Sequence, residues 1–509
     1  MNQERSQFFQ LYHREGETRI RAGALEISLI LAITLGFLGL TGVFQILFMQ
    51  PVSLNGGLGY DGGWYIEAAS KPFSRTDSMH IFRQLPSLLV WLITAFFKTI
   101  QLHKFMVVNE IRSFQLLNLS SILISCIYLE KIAAVNGFYG KKKMLFLLLT
   151  TGGFCFIRDA FFNPVMTDSL SWLQTIGLIY LMIKQKTGLF FYIVCLATLF
   201  TNPFPLLILT LADAFKNLKF IEVKKSGVNF FALVSAFAIA LVFAVISYNS
   251  TIAKGIYTFY EFPDEANHGL LLPTILLHSL LLFSLFYLAL SRSLFPDLLA
   301  SIKKVNIKML AVFTSVVCII LVINRIYPYK FDAGTSDPFL VMALWWNFKP
   351  LIGFIDSTSY FGLVMPLFLV FYRKTGRLII SEYGFGGVVI LGSGILFLMK
   401  AESRHALVFI PFLSIAVIKS MPMFSNAFLA TALLLNLFLS KIWYPLQWAN
   451  FTDHQYQAYP AQHYFAFLGP TLAWWPYYLF LAIFMAIMLF YLLWKRAVTK
   501  SGTEPALPG

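Results

Sequence analysis

The sequence contains little charge. Only 12% of its 509 residues are Asp, Glu, Lys or Arg, whereas about 25% is usual in a soluble domain. Hydrophobic residues amount to 58%, and Phe alone contributes 53 of them. An apolar excess of this size is spread over many segments and exceeds what one buried core holds. The composition therefore excludes a soluble enzyme and predicts an all-α integral membrane protein with many spans.

Cysteine is also scarce, and its positions indicate neither disulfides nor metal binding. The four cysteines, Cys126, Cys155, Cys195 and Cys318, all fall inside apolar segments. We interpret them as core thiols and not as the framework of a secreted disulfide protein. The sequence has no Walker A loop, no His-Glu-x-x-His and no Cys/His metal spacing. It therefore gives no support to nucleotide hydrolysis or zinc chemistry.

Continuous apolar runs extend along most of the chain and predict a helical bundle. They do not alternate with polar residues, which favours helices over strands. The first run, 24–49, is too long for a signal-peptide core and is predicted to be a signal anchor. Several runs are shorter than the ~20 residues that a crossing helix needs, so one or two are candidates for re-entrant segments. The sequence predicts about 14 spans, which begin near Ala24, Phe114, Met144, Ser169, Gly188, Pro203, Val228, Leu270, Lys308, Ser359, Phe385, Ala406, Ala427 and Pro476.

The distribution of Lys and Arg predicts the orientation. We predict that the apolar segment 85–97 does not cross the membrane, which places the Lys141–Lys143 cluster on the same side as the basic N-terminus. All of the net charge of +15 then lies on that side, as the positive-inside rule requires of the cytoplasm. Both termini are therefore predicted to be cytoplasmic. The basic residues form no single arm with interleaved aromatics, so no nucleic-acid partner is expected. The other basic clusters on that side are 216–225, 303–308, 373–377 and 495–500.

Longer segments on the opposite, outer side are where chemistry is expected. The first of them is predicted to contain one or two short juxtamembrane helices. Trp and Tyr crowd the last two, either as an aromatic belt at the headgroup level or as a platform for stacking sugars. We divide the chain into a catalytic module, 1–248, and a variable module, 249–509. The outer segments are 50–112, 249–269, 324–358 and 441–475.

Asp61 is the most informative acid of the first outer segment, in the sequence GYDGGWY. The adjoining glycines let a ligand approach the backbone, and the rings of Tyr60, Trp64 and Tyr65 can shield a carboxyl group from water and raise its pKa. Such an acid is suited to act as a general base, although an Asp-Gly pair is also common in ordinary turns. Arg83, later in the same segment, is either a phosphate contact or a headgroup anchor.

Asp168 follows a Pro-containing turn at the predicted outer mouth between the third and fourth spans, and Arg158 precedes that turn. A helix N-cap alone would explain Thr167 and Asp168. Two outer acids at one entrance, with an arginine near them, would also hold a hydroxyl acceptor beside an anionic leaving group. Both interpretations stay open at this point.

Glu402, Arg404 and His405 lie in a short outer turn between two closely spaced spans. Charges so near to lipid are costly unless they are paired or functional. Either Glu402 pairs with Arg404, or the turn binds phosphate. His278, in the middle of an apolar span, has no polar partner at a suitable spacing, so we interpret it as a hydrogen-bonded core histidine and not as an acyltransferase histidine.

The order of these features resembles the GT-C superfamily of membrane glycosyltransferases, which take sugars from polyprenyl-phosphate carriers. In that superfamily a long outer loop with an early acid and juxtamembrane helices follows the first span. A second acid lies at the next outer turn, and a short Arg-containing turn comes later. Here the segments 60–65, 163–168 and 402–411 resemble these three motifs in the style of bacterial mannosyl- and arabinosyltransferases. The resemblance covers residues 1–215 well and the remainder loosely.

The resemblance implies that Asp61 is the catalytic base and that Asp168 orients the acceptor or the sugar. It also implies that Arg404, with Arg158, contacts the carrier phosphate. The reaction would move one sugar from a polyprenyl phosphate to a hydroxyl of a glycan, lipid or protein, with inversion, on the periplasmic face of a bacterial inner membrane. A divalent cation, Mg²⁺ or Mn²⁺, stays open as a cofactor, although the first loop has no Asp-x-Asp pair. The remaining candidate contacts are Arg83, Glu402, His405, Tyr60, Trp64 and Tyr65.

Two other functions stay open. A transporter or flippase for polyprenyl-linked glycans would show internal repeats, broken helices and ionisable residues near the bilayer midplane. A glycan polymerase or ligase would depend on arginines in one large late loop, for which 324–358 is long enough. The sequence shows no clear repeat and its acids cluster at the predicted outer edge, so we favour the glycosyltransferase.

The orientation can be tested by cysteine labelling in spheroplasts. In a chain whose own cysteines are replaced by serine, Lys142→Cys should be shielded from a membrane-impermeant maleimide, because the positive-inside rule places it in the cytoplasm. Lys71→Cys, in the first outer segment, should react in intact spheroplasts. Labelling of Lys142→Cys without permeabilisation would show that the orientation is inverted.

Overall fold

The structure is a computed structural model. It describes residues 29–48, 62–73, 78–100, 109–162, 164–165, 168–218, 220–222, 230–249, 268–290, 293–296, 302–328, 347, 349–399, 403–422, 424–441 and 474–500. Asp61, Tyr60 and Glu402 lie outside these residues. Arg404 and His405 are described by their backbone alone.

The described part of the chain is almost entirely helical. A π-helix, Cys155–Asp159, separates α6 from α7, and 3₁₀ turns cover Ile302–Lys304 and Ser403–Phe409. Two short strands, β1 (Phe220–Glu222) and β2 (Ser293–Pro296), pair antiparallel. The helices are α1 (Leu29–Phe48), α2 (Gly62–Ser70), α3 (Ser78–Ile81), α4 (Gln84–Thr99), α5 (Glu110–Val135), α6 (Gly140–Thr151), α7 (Ala160–Phe162), α8 (Asp168–Ile183), α9 (Leu189–Leu199), α10 (Pro203–Phe215), α11 (Phe230–Tyr248), α12 (His268–Leu290), α13 (Ile307–Ile326), α14 (Ile352–Phe361), α15 (Val364–Val370), α16 (Tyr372–Met399), α17 (Ile410–Ser420), α18 (Asn426–Leu439) and α19 (Trp474–Lys500).

Six described helices are long and apolar enough to cross a membrane: α1, α5, α12, α13, α16 and α19. A seventh candidate is the pair of α6 and Cys155–Phe162, whose halves are bent by 59° relative to each other. Among the shorter apolar helices, α10 packs against α13 and α16, α9 against α8 and α10, and α18 against α6. The chain is therefore a multi-spanning α-helical membrane protein. The larger number of about 14 spans stays a prediction.

Three short helices lie in the described part of segment 50–112, where the sequence predicts one or two. They are α2, α3 and α4, and α4 packs against both α2 and α5. With 16 residues, α4 measures about 24 Å, which is less than the ~30 Å of a hydrocarbon core. That 85–97 does not cross the membrane stays a prediction.

One segment expected to be a loop is helical. Residues 352–358, expected in an outer loop, belong to α14, and all ten residues of that helix are buried. Its polar side chains bond within the bundle; the Thr358 hydroxyl, for example, donates to the Phe354 carbonyl at 2.8 Å. The basic segment 373–377 begins α16, which is interrupted at Gly384 with φ 53°. That break frees the Phe385 N–H to donate to the Leu218 carbonyl at 2.9 Å.

Interpretations of individual core residues are confirmed in part. Cys126, Cys155 and Cys195 are buried, but Cys318 is exposed on α13, so its interpretation as a core thiol was wrong. His278 is a hydrogen-bonded core histidine, because its Nε2 accepts the Leu351 N–H at 3.0 Å. A hydrophobic sequence context shows that a residue avoids water, but it does not distinguish the protein interior from lipid.

Lys143 also departs from the expected position. The sequence groups it with the cytoplasmic lysines, yet its side chain is fully buried between α6 and α5. Its ammonium group lies 2.8 Å from Glu130 Oε1, and Glu130 is buried too. A buried charge is tolerated when an opposite charge accompanies it, so pairing with Glu130 explains why Lys143 can be buried.

Asn436 on α18 joins three parts of the bundle. Its Oδ1 accepts the Leu363 N–H at 3.0 Å, and its Nδ2 donates to the Leu148 carbonyl at 3.2 Å. Gly362 lies beside this side chain with φ 77°, where any Cβ would clash with Asn436. The fully buried amide therefore connects α18 to the end of α6 and to the junction of α14 and α15.

Replacing Asn436 with Leu should lower the unfolding temperature of the purified protein in detergent. The substitution leaves the buried Leu363 N–H without its acceptor, which costs about 1–3 kcal/mol. Asn426→Ala is the matched control, because Asn426 is exposed at the start of the same helix. Equal unfolding temperatures for the two variants would contradict the connecting role of Asn436.

Candidate active site

Asp159 and Asp168 line one small cavity in the interior of the bundle. Asp159 is the last residue of the π-helix and Asp168 is the first residue of α8. Tyr360, Asn118 and Ser169 complete the polar part of the lining. The free space measures about 10 Å³, which is enough for one water molecule. Asp168 thus lies beside a second acid, Asp159, which is only 5% exposed and was not among the site residues predicted from the sequence.

Two glycines produce the break that carries Asp159. Helix α6 ends before Gly152, and a Cβ on Gly153 would stand 2.9 Å from the backbone oxygens of Tyr360 and Phe361. Only glycine allows α14 to approach the chain so closely. The chain then continues as a π-helix, a form that often marks functional sites.

Side-chain amides from α5 hold the end of this π-helical segment. Gln115 donates to the Phe161 carbonyl at 2.9 Å. Asn118 donates to the carbonyls of Ala160 and Pro164 at 2.8 and 2.9 Å. These carbonyls lie where regular helical bonding ends, so the amides satisfy them and fix the path between Asp159 and α8.

The second half of the chain completes the surroundings of Asp159. The Tyr360 hydroxyl on α14 donates to Asp159 Oδ2 at 3.1 Å. Lys441, just after α18, is buried with its ammonium group 4.5 Å from the centre of the Phe154 ring. Burial lowers the pKa of Lys441 to about 7, against the opposing effect of the negative charges of Asp159 and Asp356. The cavity therefore lies next to a group that changes its charge near neutral pH.

Arg158 lines a different space from its neighbour Asp159. Its side chain is 1% exposed, and it lines a groove of about 460 Å³. The walls of the groove come from α1 and are mostly apolar, with Leu40, Phe44 and Phe48 among them. Arg158 and Asp168, which the sequence places at one entrance, thus line two different spaces.

Close packing at one glycine positions α1 along this groove. A Cβ on Gly42 would stand 2.6 Å from the Leu119 side chain and 2.9 Å from the Phe161 ring. Three residues later, Gln45 is buried and donates to the Ile157 carbonyl at 2.6 Å. The first span is therefore attached directly to the π-helix that carries Arg158.

The candidate residues of the first outer segment form a structural group of their own. Arg83 donates to the Tyr65 hydroxyl at 3.0 Å, and the rings of Trp64 and His80 meet edge to face at 5.0 Å. Tyr65 also packs in one cluster with Val165, which precedes Asp168 by three residues. These contacts hold α2 against α4 and against the approach to α8. None of these side chains lines the acid cavity in the described part of the chain.

Sequence reasoning missed Tyr360 and Lys441 as neighbours of the acids. Tyr360 lies 201 positions from Asp159, so no local motif connects them. The available signal was the polar run 356–359 within an apolar region, which sequence reasoning assigned to a loop. The 3₁₀ turn that contains Arg404 and His405 also contributes Leu407 to the cavity. The cavity thus draws on both modules, 1–248 and 249–509.

Lys441 should make stability depend on pH. Its folded pKa of about 7 lies below the ordinary 10.5, so the unfolded chain binds more protons between these values. The free energy of unfolding therefore rises with pH between these two pKa values. Below the folded value, the destabilisation caused by burying Lys441 has its full size. Unfolding temperatures of wild type and Lys441→Met should differ by an amount that changes from pH 7 to pH 10.

Lys419, which is half-buried and paired with Glu382, supplies the matched variant Lys419→Met for that experiment. Its unfolding curves should run parallel to those of the wild type over the same pH range. Parallel curves for Lys441→Met as well would contradict a lowered pKa at Lys441.

Neither a metal site nor a known relative assigns a function to this chain. Among the described residues, no three His, Cys, Asp or Glu side chains are grouped so that they could hold a metal ion. No protein-family model, curated protein or solved structure matches this chain. Its chemistry is therefore inferred from the geometry of the two cavities.

Proposed function

We propose that this protein is a membrane glycosyltransferase of GT-C type with about 14 spans. It transfers one sugar from a polyprenyl phosphate to a hydroxyl acceptor at the outer, periplasmic face. One observation carries the proposal. Arg158 and Asp159, consecutive residues of the π-helix, line two different spaces, an apolar groove and a polar cavity with two carboxylates.

The groove has the composition that a polyprenyl phosphate requires. Phe44 and Phe48 on α1 are 53% and 71% exposed, so an isoprenoid chain can cover apolar surface there. Arg158 also lines the groove, and its planar guanidinium matches the oxygens of a phosphate group. Because Arg158 and Asp159 are consecutive residues, a phosphate bound at Arg158 would lie close to the acid cavity.

The chemistry needs a base for the acceptor hydroxyl and a cation for the leaving phosphate. A phosphate leaves already charged, so no general acid is required. Asp61 is the base that the GT-C resemblance implies, and Asp168 orients the acceptor or sugar. Asp159 adds a second carboxylate whose direction is set by the Tyr360 hydroxyl. The displacement inverts the anomeric carbon through an oxocarbenium-like transition state, as in inverting glycosidases.

The size of the acid cavity sets a condition on this mechanism. A free space of about 10 Å³ holds no sugar. Binding of the glycosyl group beside Asp168 therefore has to move at least one of the side chains that enclose the space, such as Leu407 or Tyr360. Movements of this kind are common when an active site closes around its substrate.

A transporter of polyprenyl-linked glycans is the second candidate, and the broken helix favours it. Discontinuous helices with buried charges form the substrate sites of many transporters. Here the break follows the twelve residues of α6, which measure about 18 Å. With the orientation proposed above, in which α6 begins at the cytoplasmic face of a core of ~30 Å, Asp159 would lie in the outer half of the membrane. An outer position fits an enzyme that acts on periplasmic substrates.

Transfer can be tested with purified protein and radiolabelled polyprenyl-phosphate monosaccharides. Asp168→Asn and Asp159→Asn should each lower kcat by at least about 100-fold, because each removes a carboxylate from the reaction centre. Arg158→Gln should cost a similar factor, since it removes a cation from the leaving phosphate. The measurement is the joint appearance of glycosylated acceptor and free polyprenyl phosphate.

Glu382→Gln is the matched control, because Glu382 is a partly exposed carboxylate paired with Lys419 and does not line the acid cavity. It should retain wild-type turnover. Asp61→Asn tests separately whether the base is the residue that the resemblance implies. Absence of turnover with every donor, together with movement of labelled donor across liposomes containing the protein, would overturn the enzyme in favour of the transporter.

A further inference from the structure

A second cavity lies at the other end of α8. It occupies about 110 Å³ between α8, α10, α16 and α17. The last residue of α8 that lines the acid cavity is Ser169, and the first that lines the second cavity is Ile179, so the two cavities are about 15 Å apart along the helix axis. The second cavity is therefore independent of the acids and of the groove at Arg158.

The cavity has apolar walls and a polar mouth. Its polar residues are Gln185, Asp213 and Lys216, all near the ends of α8 and α10. Asp213 is fully engaged, because Lys216 Nζ lies 2.6 Å from its Oδ1 and Asn306 donates to its Oδ2 at 3.0 Å. The apolar walls are formed by Ile179, Met182, Ile183, Leu209, Ala212, Tyr383, Ile390 and Phe412.

Exposed lysines adjoin the residues of this mouth along the chain. Lys184 and Lys186 flank Gln185 and are exposed, and neither forms an ion pair with another described residue. The turn that carries them is fixed, because the Lys186 N–H donates to the Leu181 carbonyl at 2.9 Å. Lys304 is also exposed, and its carbonyl accepts the Asn217 amide just after α10. With Asp213 neutralised by Lys216, the mouth carries a net positive charge.

Apolar walls below a cationic mouth are complementary to an amphiphile with a negative headgroup. A free phosphate ion would leave the apolar walls unused. A closed apolar cavity of about 150 Å³ holds one benzene molecule, so this open space takes part of one acyl chain while the rest lies along the bundle surface. Basic pockets between membrane helices on the cytoplasmic side are suited to anionic phospholipids.

We propose that this cavity is a binding site for an anionic phospholipid of the leaflet on the lysine-rich side. The acyl chain lies between Ile183, Leu209 and Phe412. Its phosphate is bound by Lys184 and Lys186, with Lys216 at the base of the mouth. The site requires no assumption about sugar transfer, because it shares no residue with the acid cavity.

Binding can be measured with the full-length protein in detergent by titration with phosphatidylglycerol, using the unfolding temperature and native mass spectrometry. We expect phosphatidylglycerol to stabilise the protein more than phosphatidylcholine of the same chain length. Each lysine near an anionic headgroup contributes about fivefold in affinity, so Lys184→Gln with Lys186→Gln should weaken binding roughly 30-fold. Ile183→Trp, which fills the cavity and keeps every charge, should also abolish the specific shift.

The matched control is Lys141→Gln with Lys142→Gln, an equal loss of charge at the start of α6, away from the cavity lining. It should keep the phosphatidylglycerol shift. An equal loss in this control would show diffuse attraction to the basic surface and would overturn the site. Stabilisation by inorganic phosphate or glycerol phosphate alone would overturn the lipid as the occupant. Failure of sugar transfer leaves all of these outcomes unaffected.

Discussion

The interruption after α6 is the constraint on which the rest of the structure depends. Inside a membrane an unpaired backbone group costs several kcal/mol, because no water is present to satisfy it. The break is tolerated because side-chain amides bond to the exposed carbonyls. Gln45 reaches it from α1, Gln115 and Asn118 from α5, and Asn436 reaches the end of α6 from α18. The same bonds bring four helices together around one turn.

The separation of Arg158 from Asp159 follows from this arrangement. Consecutive residues of a helix point in different directions, so one turn of the π-helix can present a cation to one space and an acid to another. Gly42 allows α1 to pack against the turn on the side of Arg158, and Gly153 allows α14 to pack on the side of Asp159. A reaction that separates a lipid phosphate from its sugar needs both groups, each with its own surroundings.

The two ends of α8 use charge in different ways. At the acid end the charged groups are buried, with Asp159, Asp356 and Lys441 enclosed by protein. Buried charges are costly unless they are paired, and they keep their positions because moving any one of them leaves the others uncompensated. At the other end, Lys184 and Lys186 are exposed and free to meet headgroups. One end is organised for fixed geometry and the other for contact with the membrane surface.

The sequence by itself determined the class of protein, the helical nature of the apolar runs and the presence of an acid at the start of α8. These features are local, because hydropathy and helix-starting signals act over a few turns. Only the tertiary structure decided that Tyr360 bonds to Asp159, that Lys143 and α14 are buried, and that Cys318 is exposed. Lipid and protein interior are equally apolar, so a hydrophobic pattern cannot tell an inward face from an outward one. Contacts between residues far apart in the chain depend on how the helices pack, and packing is set by the whole bundle.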